Sequence, residues 1–194
     1  MLYFWKSINS YNYINQITLK FNIIKKVSLV VFLLASLCTC ERDDICPEDV
    51  PTTPRLILEF YDLTNQENIK DVINLRVQGL GNAFPLASFQ GTTTVNKVEL
   101  PLKTDENTTQ FSFIKDYAID DNGNITGNED IITINYTTEN VYISRACGFK
   151  TIYTAVNIQF DVDDMERWIA LAQPLNDNQS IEDETTTHFK FFHQ

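Results

Sequence analysis

Side chains able to do chemistry are few in this chain: four cysteines, two histidines and a surplus of carboxylates. The thiols of Cys38, Cys40, Cys46 and Cys147 could be acylated, bridged, bound to metal or used as nucleophiles. A nucleophile needs a base within reach, which leaves only Cys147 with His188, and only if Cys147 is reduced. No Gly-x-Ser-x-Gly elbow and no Gly-rich phosphate loop occurs. His188 and His193 lie five residues apart in a predicted terminal strand, where strict alternation places them on opposite faces. Zinc requires converging ligands, so the pair does not suggest a shared metal.

The nearest approach to a metal motif is the run from Asp120 to Glu129, which resembles a calcium loop in its spacing around Gly123. Its candidate ligands are Asp120, Asn122, Asn124 and Glu129. The first ligand position falls on Ala118 and no helix pattern flanks the loop, so the competing reading is a solvated hairpin. Paired carboxylates such as Asp43/Asp44 and Asp163/Asp164 could serve acid–base work on glycans. In a chain with 26 acidic residues, solvated charge is the commoner explanation. The expectation is a non-enzymatic protein with no cofactor.

Cys40 is the thiol with the most specific context. Lys25-Lys26 precede an apolar run from Val27 to Leu37, which has the length and basic flank of a signal-peptide core. As helix, Val27 to Cys40 would span roughly 21 Å, short of the ~30 Å hydrocarbon layer. Leu37-Cys38-Thr39-Cys40 resembles a lipobox, in which a small residue precedes a cysteine that receives diacylglycerol. Bulky Leu37 disfavours Cys38 as acceptor. Residues 1–39 therefore read as a lipoprotein signal peptide, 40–53 as a lipidated tether, and 54–194 as the folded domain. The long stretch ahead of the core, residues 1–22, has the character of translated AT-rich sequence upstream of the true start. Glu41-Arg-Asp-Asp44 is similar to a surface-export signal of some diderm lipoproteins; an ordinary solvated tether explains it equally well. The expected location is the cell envelope, on either face of the outer membrane.

Charge narrows the partners. Removing residues 1–39 leaves 11 basic against 26 acidic residues, a net charge of −15. Nucleic acid is excluded, because a polyanion is bound by basic side chains that displace its counterions. Membrane attachment would have to come from lipid. Outside the cytoplasm, and with Cys38 removed and Cys40 acylated, Cys46 and Cys147 remain as an expected disulfide. The competing reading is two free thiols.

These residues must be positioned by strands. Period-two alternation recurs in Leu56/Leu58/Phe60, Leu75/Val77, Val98/Leu100/Leu102, Phe111/Phe113, Ile132/Ile134/Tyr136, Val141/Ile143 and Phe189/Phe191. The longest case puts Ile152, Thr154, Val156, Ile158, Phe160 and Val162 inward, and Tyr153 and Ala155 outward. Turn chemistry falls at 79–82, 105–107, 121–124, 138–140 and Gly148. The pattern predicts an all-β, antiparallel, immunoglobulin-like β-sandwich, with a small antiparallel barrel as the alternative. Asp163 to Pro174 fits either a short helix or a bent edge strand carrying Trp168-Ile169.

Several segments together resemble an uncharacterised family of diderm lipoproteins, domain-of-unknown-function family 6452. They are Cys40 with Asp44-Ile-Cys46-Pro47, Thr53-Pro-Arg55 through Asp62, Leu100-Pro-Leu102, Ser144-Arg-Ala-Cys147-Gly-Phe149, and Glu184 with His188. The resemblance implies a β-sandwich lipoprotein whose matching residues are architectural, and it carries over no catalytic residue. The expected role is contact with another envelope component, most simply a protein, through an edge strand or loop face. A small-ligand, glycan or calcium module is the alternative, using Tyr117, Tyr142, Tyr153 and Trp168 as exposed aromatics.

Overall fold

Among the described residues, eight runs form strands: β1 (Leu56–Asp62), β2 (Arg76–Gly79), β3 (Lys97–Leu100), β4 (Thr108–Ile119), β5 (Ile125–Ser144), β6 (Gly148–Phe160), β7 (Ile169–Pro174) and β8 (Phe189–His193). The computed structural model describes residues 25–29, 31–32, 45–50 and 52–194. Short helical stretches occupy 25–29 and 31–32, and among the described residues no helix is long and apolar enough to cross a membrane. Cys40 and residues 41–44, on which the lipidation and export readings rest, lie outside the described residues.

The strands build two four-stranded sheets, ordered β3-β1-β8-β7 and β2-β4-β5-β6, so the fold is a sandwich and not a closed barrel. The second sheet is antiparallel throughout. In the first, β1 and β8 run parallel, with Leu58 opposite Phe189 and Tyr61 opposite Phe192. This mixed sheet departs from the purely antiparallel expectation. Inward side chains from both sheets fill one core, including Leu56, Leu58, Phe60, Leu100 and Phe191 from one layer and Val77, Phe113, Ile132, Ile134 and Val156 from the other. Such a layer of large apolar groups is the main stabilising element, at about 25 cal/mol per Å² of apolar area removed from water.

Three sequence expectations are corrected. Residues 138–140 do not form a turn: β5 runs through them as a single 20-residue strand paired to β6. No glycine there supplies a positive φ, so the ladder continues. In β6 the inward face changes partway along. Ala155 has φ +51, and the pairing shifts between Asn135/Thr137 on β5, leaving Ala155 and Val156 together opposite Tyr136. A bulge of this kind moves every following side chain to the other face. Tyr153 is therefore fully buried, whereas Val156, Ile158 and Phe160 keep their inward orientation and Val162 lies beyond the strand, exposed. Finally, Asp163 to Pro174 is no helix; turns lead into β7, the edge strand that was the alternative reading.

Candidate functional site

One end of the sandwich gathers the residues that the family-like segments single out. Cys46 and Cys147 are bridged, with Cα atoms 4.8 Å apart across a sequence separation of 101. Cys147 occupies the tight turn between β5 and β6; its N–H donates to Ser144 Oγ at 3.0 Å. Gly148 follows at φ +70, a left-handed geometry that closes the turn and suits glycine. Next along, the Thr151 N–H donates to Thr53 Oγ1 at 3.0 Å.

Arg55 completes the arrangement. Its Nε and Nη2 donate to the two oxygens of Glu184 at 2.9 and 2.7 Å, and its own backbone N–H reaches Glu184 Oε1 at 2.7 Å. Nη1 contacts Glu99 at 2.6 Å. The guanidinium beside it holds the Glu184 carboxyl below the usual carboxylate range. His188 lies just beyond: its ring Nδ1 accepts the Ile57 N–H at 3.0 Å, and its backbone N–H donates to the Ile57 carbonyl at 3.0 Å. Accepting at Nδ1 requires a neutral ring, and burial pushes the imidazole pKa down. The start of β1 is thus tied to β3, to the segment leading into β8 and to β6, all within eleven residues of Cys46. Arg55→Ala is expected to lower the urea midpoint by about 1 kcal/mol equivalent, with an unchanged m-value.

A second polar feature joins the two sheets. Asp130, on β5, is wholly buried, and its two oxygens accept the N–H groups of Trp168 at 3.1 Å and Ile169 at 2.8 Å. Burial pushes its pKa up to about 6, against the lowering effect of those two hydrogen bonds. The Trp168 indole N–H donates to the Phe113 carbonyl at 3.3 Å, and its ring lies 5.8 Å from Phe60. Asp130 thereby fixes where β7 begins. Sequence reasoning passed over it, although an acidic residue in phase with Ile132, Ile134 and Tyr136 was the available signal.

The other proposed ligands do not converge. Asp120 spends its oxygens on the turn itself, accepting the backbone N–H of Asn122 at 2.9 Å and of Asn124 at 2.7 Å, and the Asn124 side-chain amide at 3.0 Å. Those donors lower its pKa, Asn124 foremost. Glu129 sits opposite Ile114 and accepts from Ser112. Four steps along β5 separate Glu129 from Ile125 at the base of the Asp120 turn, roughly 13 Å, too far for one ion to be shared. Among the described residues no group of three or more His, Cys, Asp or Glu side chains could hold a metal. His193 is also buried, packed edge-on to Phe60 and Trp168.

Nor do the four aromatics form one surface. Tyr153 is in the core, donating to the Leu102 carbonyl at 3.1 Å, and Trp168 is buried as described. Tyr117 lies under the Arg76 guanidinium at 4.8 Å, and only Tyr142 is freely exposed. An open cleft of about 330 Å³ lies between Leu80, Leu86, Lys103, Glu106 and Gln110. Its one cation, Lys103, is held by Glu106 at 2.9 Å.

The comparisons with curated proteins and with solved structures find no match. A family profile does match, over residues 74–193, which takes in β2 through β8 but leaves Arg55 and β1 outside. That match spans more than half of the chain, and the protein belongs to this family of unknown function (DUF6452).

Proposed function

We propose that the protein is an exported, lipid-anchored envelope protein, a non-enzymatic module that contacts another envelope protein. The observation that carries this reading is the Cys46–Cys147 bridge, six residues after the lipobox-like Cys40. Disulfides persist in oxidising compartments, and this one closes over the point where the tether meets the domain. A load on the tether would pass into the β5–β6 turn through a covalent bond and into the sheets through Thr53 and Arg55.

The partner contact is assigned to loop and hairpin faces and to the short outer edge of β3, because the other three sheet edges are guarded. Beyond β2, residues 86–91 bond to Val77 and Leu75; beyond β6, Gln179 and Ile181 bond to Val156 and Tyr153. On β7 the alternation that turns the Leu175 N–H toward His188 turns position 174 outward, and Pro174 has no N–H to offer there. A glycan or small-ligand module would need aromatics lining one cleft, and two of its four aromatics are in the core.

Replacing Cys40 with Ala tests the anchor. The wild-type protein is expected in the membrane fraction and the Cys40→Ala variant in the soluble envelope fraction; a variant that still sediments with membranes removes the reading. Crosslinking in intact cells followed by mass spectrometry tests the partner, with an envelope protein as the expected adduct and no specific adduct as the result against it.

A further inference from the structure

The end of the domain nearest the tether carries an exposed aromatic pair. Tyr142 and Phe149 face each other across the β5–β6 ladder, rings 5.3 Å apart, at 59% and 67% exposure. Large apolar groups this open at a hairpin end contribute nothing to the core. They stand immediately beside the turn that holds Cys147, which is bridged to Cys46.

Chain length then places the pair with respect to a bilayer. Cys40 and Cys46 are six residues apart, at most about 20 Å of extended backbone. If Cys40 bears lipid, the β5–β6 hairpin end is confined to that distance from the membrane surface. The opposite end of β5, twenty residues away, lies about 60 Å off at ~3.3 Å per residue.

Charge at this end is mixed, with Glu139 and Glu184 beside the basic residues. The stretch from Asn140 to Phe160 contains Arg145 and Lys150 and no acidic residue, in a chain with 26 acidic residues. Lys150 Nζ donates to the Glu182 carbonyl at 2.9 Å, at the same end. The linker, residues 40–53, carries Glu41, Asp43, Asp44, Glu48 and Asp49 against Arg42, so attraction of charge alone does not drive contact. Aromatic burial has to do so. Tyr and Phe suit the headgroup boundary, the ring in the apolar margin and the phenol oxygen in the wet one.

We infer that the β5–β6 hairpin end is a lipid-contacting surface, with Tyr142 and Phe149 seated in the headgroup layer of the membrane that holds the anchor. The contact rests on lipidation at Cys40. It would fix the orientation of the sandwich, holding the β4–β5 hairpin away from the bilayer with Ile119 and Ile125 exposed at its tip.

Tryptophan reporters test the inference. Mature lipidated protein is purified from membranes and reconstituted into phosphatidylcholine/phosphatidylglycerol vesicles whose lipids are brominated high in the acyl chain. Tyr142→Trp and Phe149→Trp place the probe in the pair, and Ile119→Trp places it at the far hairpin. Trp168, the only native tryptophan after residue 39, is buried and supplies a constant background. The expected result is loss and blue shift of the added emission at 142 and 149, with none at 119. Protein that floats with the vesicles while 142 and 149 stay unquenched overturns the lipid contact alone, and a protein partner then becomes the occupant of the pair. Protein that fails to float and carries no acyl mass overturns the anchor and the contact with it.

Discussion

Asp130→Ala is expected to lower the unfolding free energy by about 3 kcal/mol or more. The substitution strips the buried N–H groups of Trp168 and Ile169 of their acceptors, and an unpaired buried donor costs about 1–3 kcal/mol. The start of β7 would loosen, and Trp168 would leave its place against Phe60 and Phe113. Urea unfolding and Trp168 emission measure both effects; a loss under 1 kcal/mol with unchanged emission would mean that β7 is positioned by apolar packing alone.

The same carboxylate makes a pH prediction of definite sign. Its folded pKa, about 6, lies above the unfolded value near 3.8. Between these pH values the folded state binds more protons, so this residue's contribution improves as pH falls from 7 to 4, by an amount on the order of 2–3 kcal/mol. His188 and His193 act oppositely: burial lowers both pKa values, so their contribution is present above about pH 6.5 and is lost as pH falls. Wild-type titration alone mixes the two. Asp130→Asn keeps the shape without the ionisation, so wild type should gain stability relative to this variant as pH falls from 7 to 4. A difference independent of pH would show that Asp130 does not titrate in that window.

Removing the bridge is the second large effect. The Cys46→Ser/Cys147→Ser double variant frees a loop of 101 residues, for which the chain-entropy account gives about 4.7 kcal/mol. For a domain of this size that corresponds to a fall in Tm on the order of 10–15 °C. Reducing the native protein should give the same shift, and the double variant should then be insensitive to reductant. An unchanged midpoint would mean that Thr53 and Arg55 alone hold the start of β1.

Much of the framework was legible in the residues. Alternation in Leu56/Leu58/Phe60, Val98/Leu100 and Phe111/Phe113 located strands and their buried faces, because a side chain's face follows directly from its parity within a strand. The disulfide was legible from count: with Cys38 and Cys40 taken up by the expected lipobox, Cys46 and Cys147 are the thiols left to pair. The burial of Tyr153 escapes the alternation because parity breaks at Ala155, and a bulge leaves no mark in composition when the residue at positive φ is alanine. The turn expected at 138–140 failed because polar residues there are compatible with a strand whose partner continues to pair. Asp130 was passed over because its acceptors' partners, Trp168 and Ile169, are 38 and 39 residues away.

Taken alone, the order of residues determined the class of fold, the contrast between residues 1–39, which hold no acidic residue, and the acidic remainder, and the pairing of Cys46 with Cys147. All three depend on properties that are local or additive: periodicity, charge and count. Only the tertiary structure decided that β1 pairs in parallel with β8, that Arg55, Glu184 and His188 meet at the end closed by the bridge, and that Tyr142 and Phe149 pair beside it. Those contacts join segments up to 131 residues apart. They arise from the way two sheets must stack to bury their apolar faces, and no window of sequence contains that constraint.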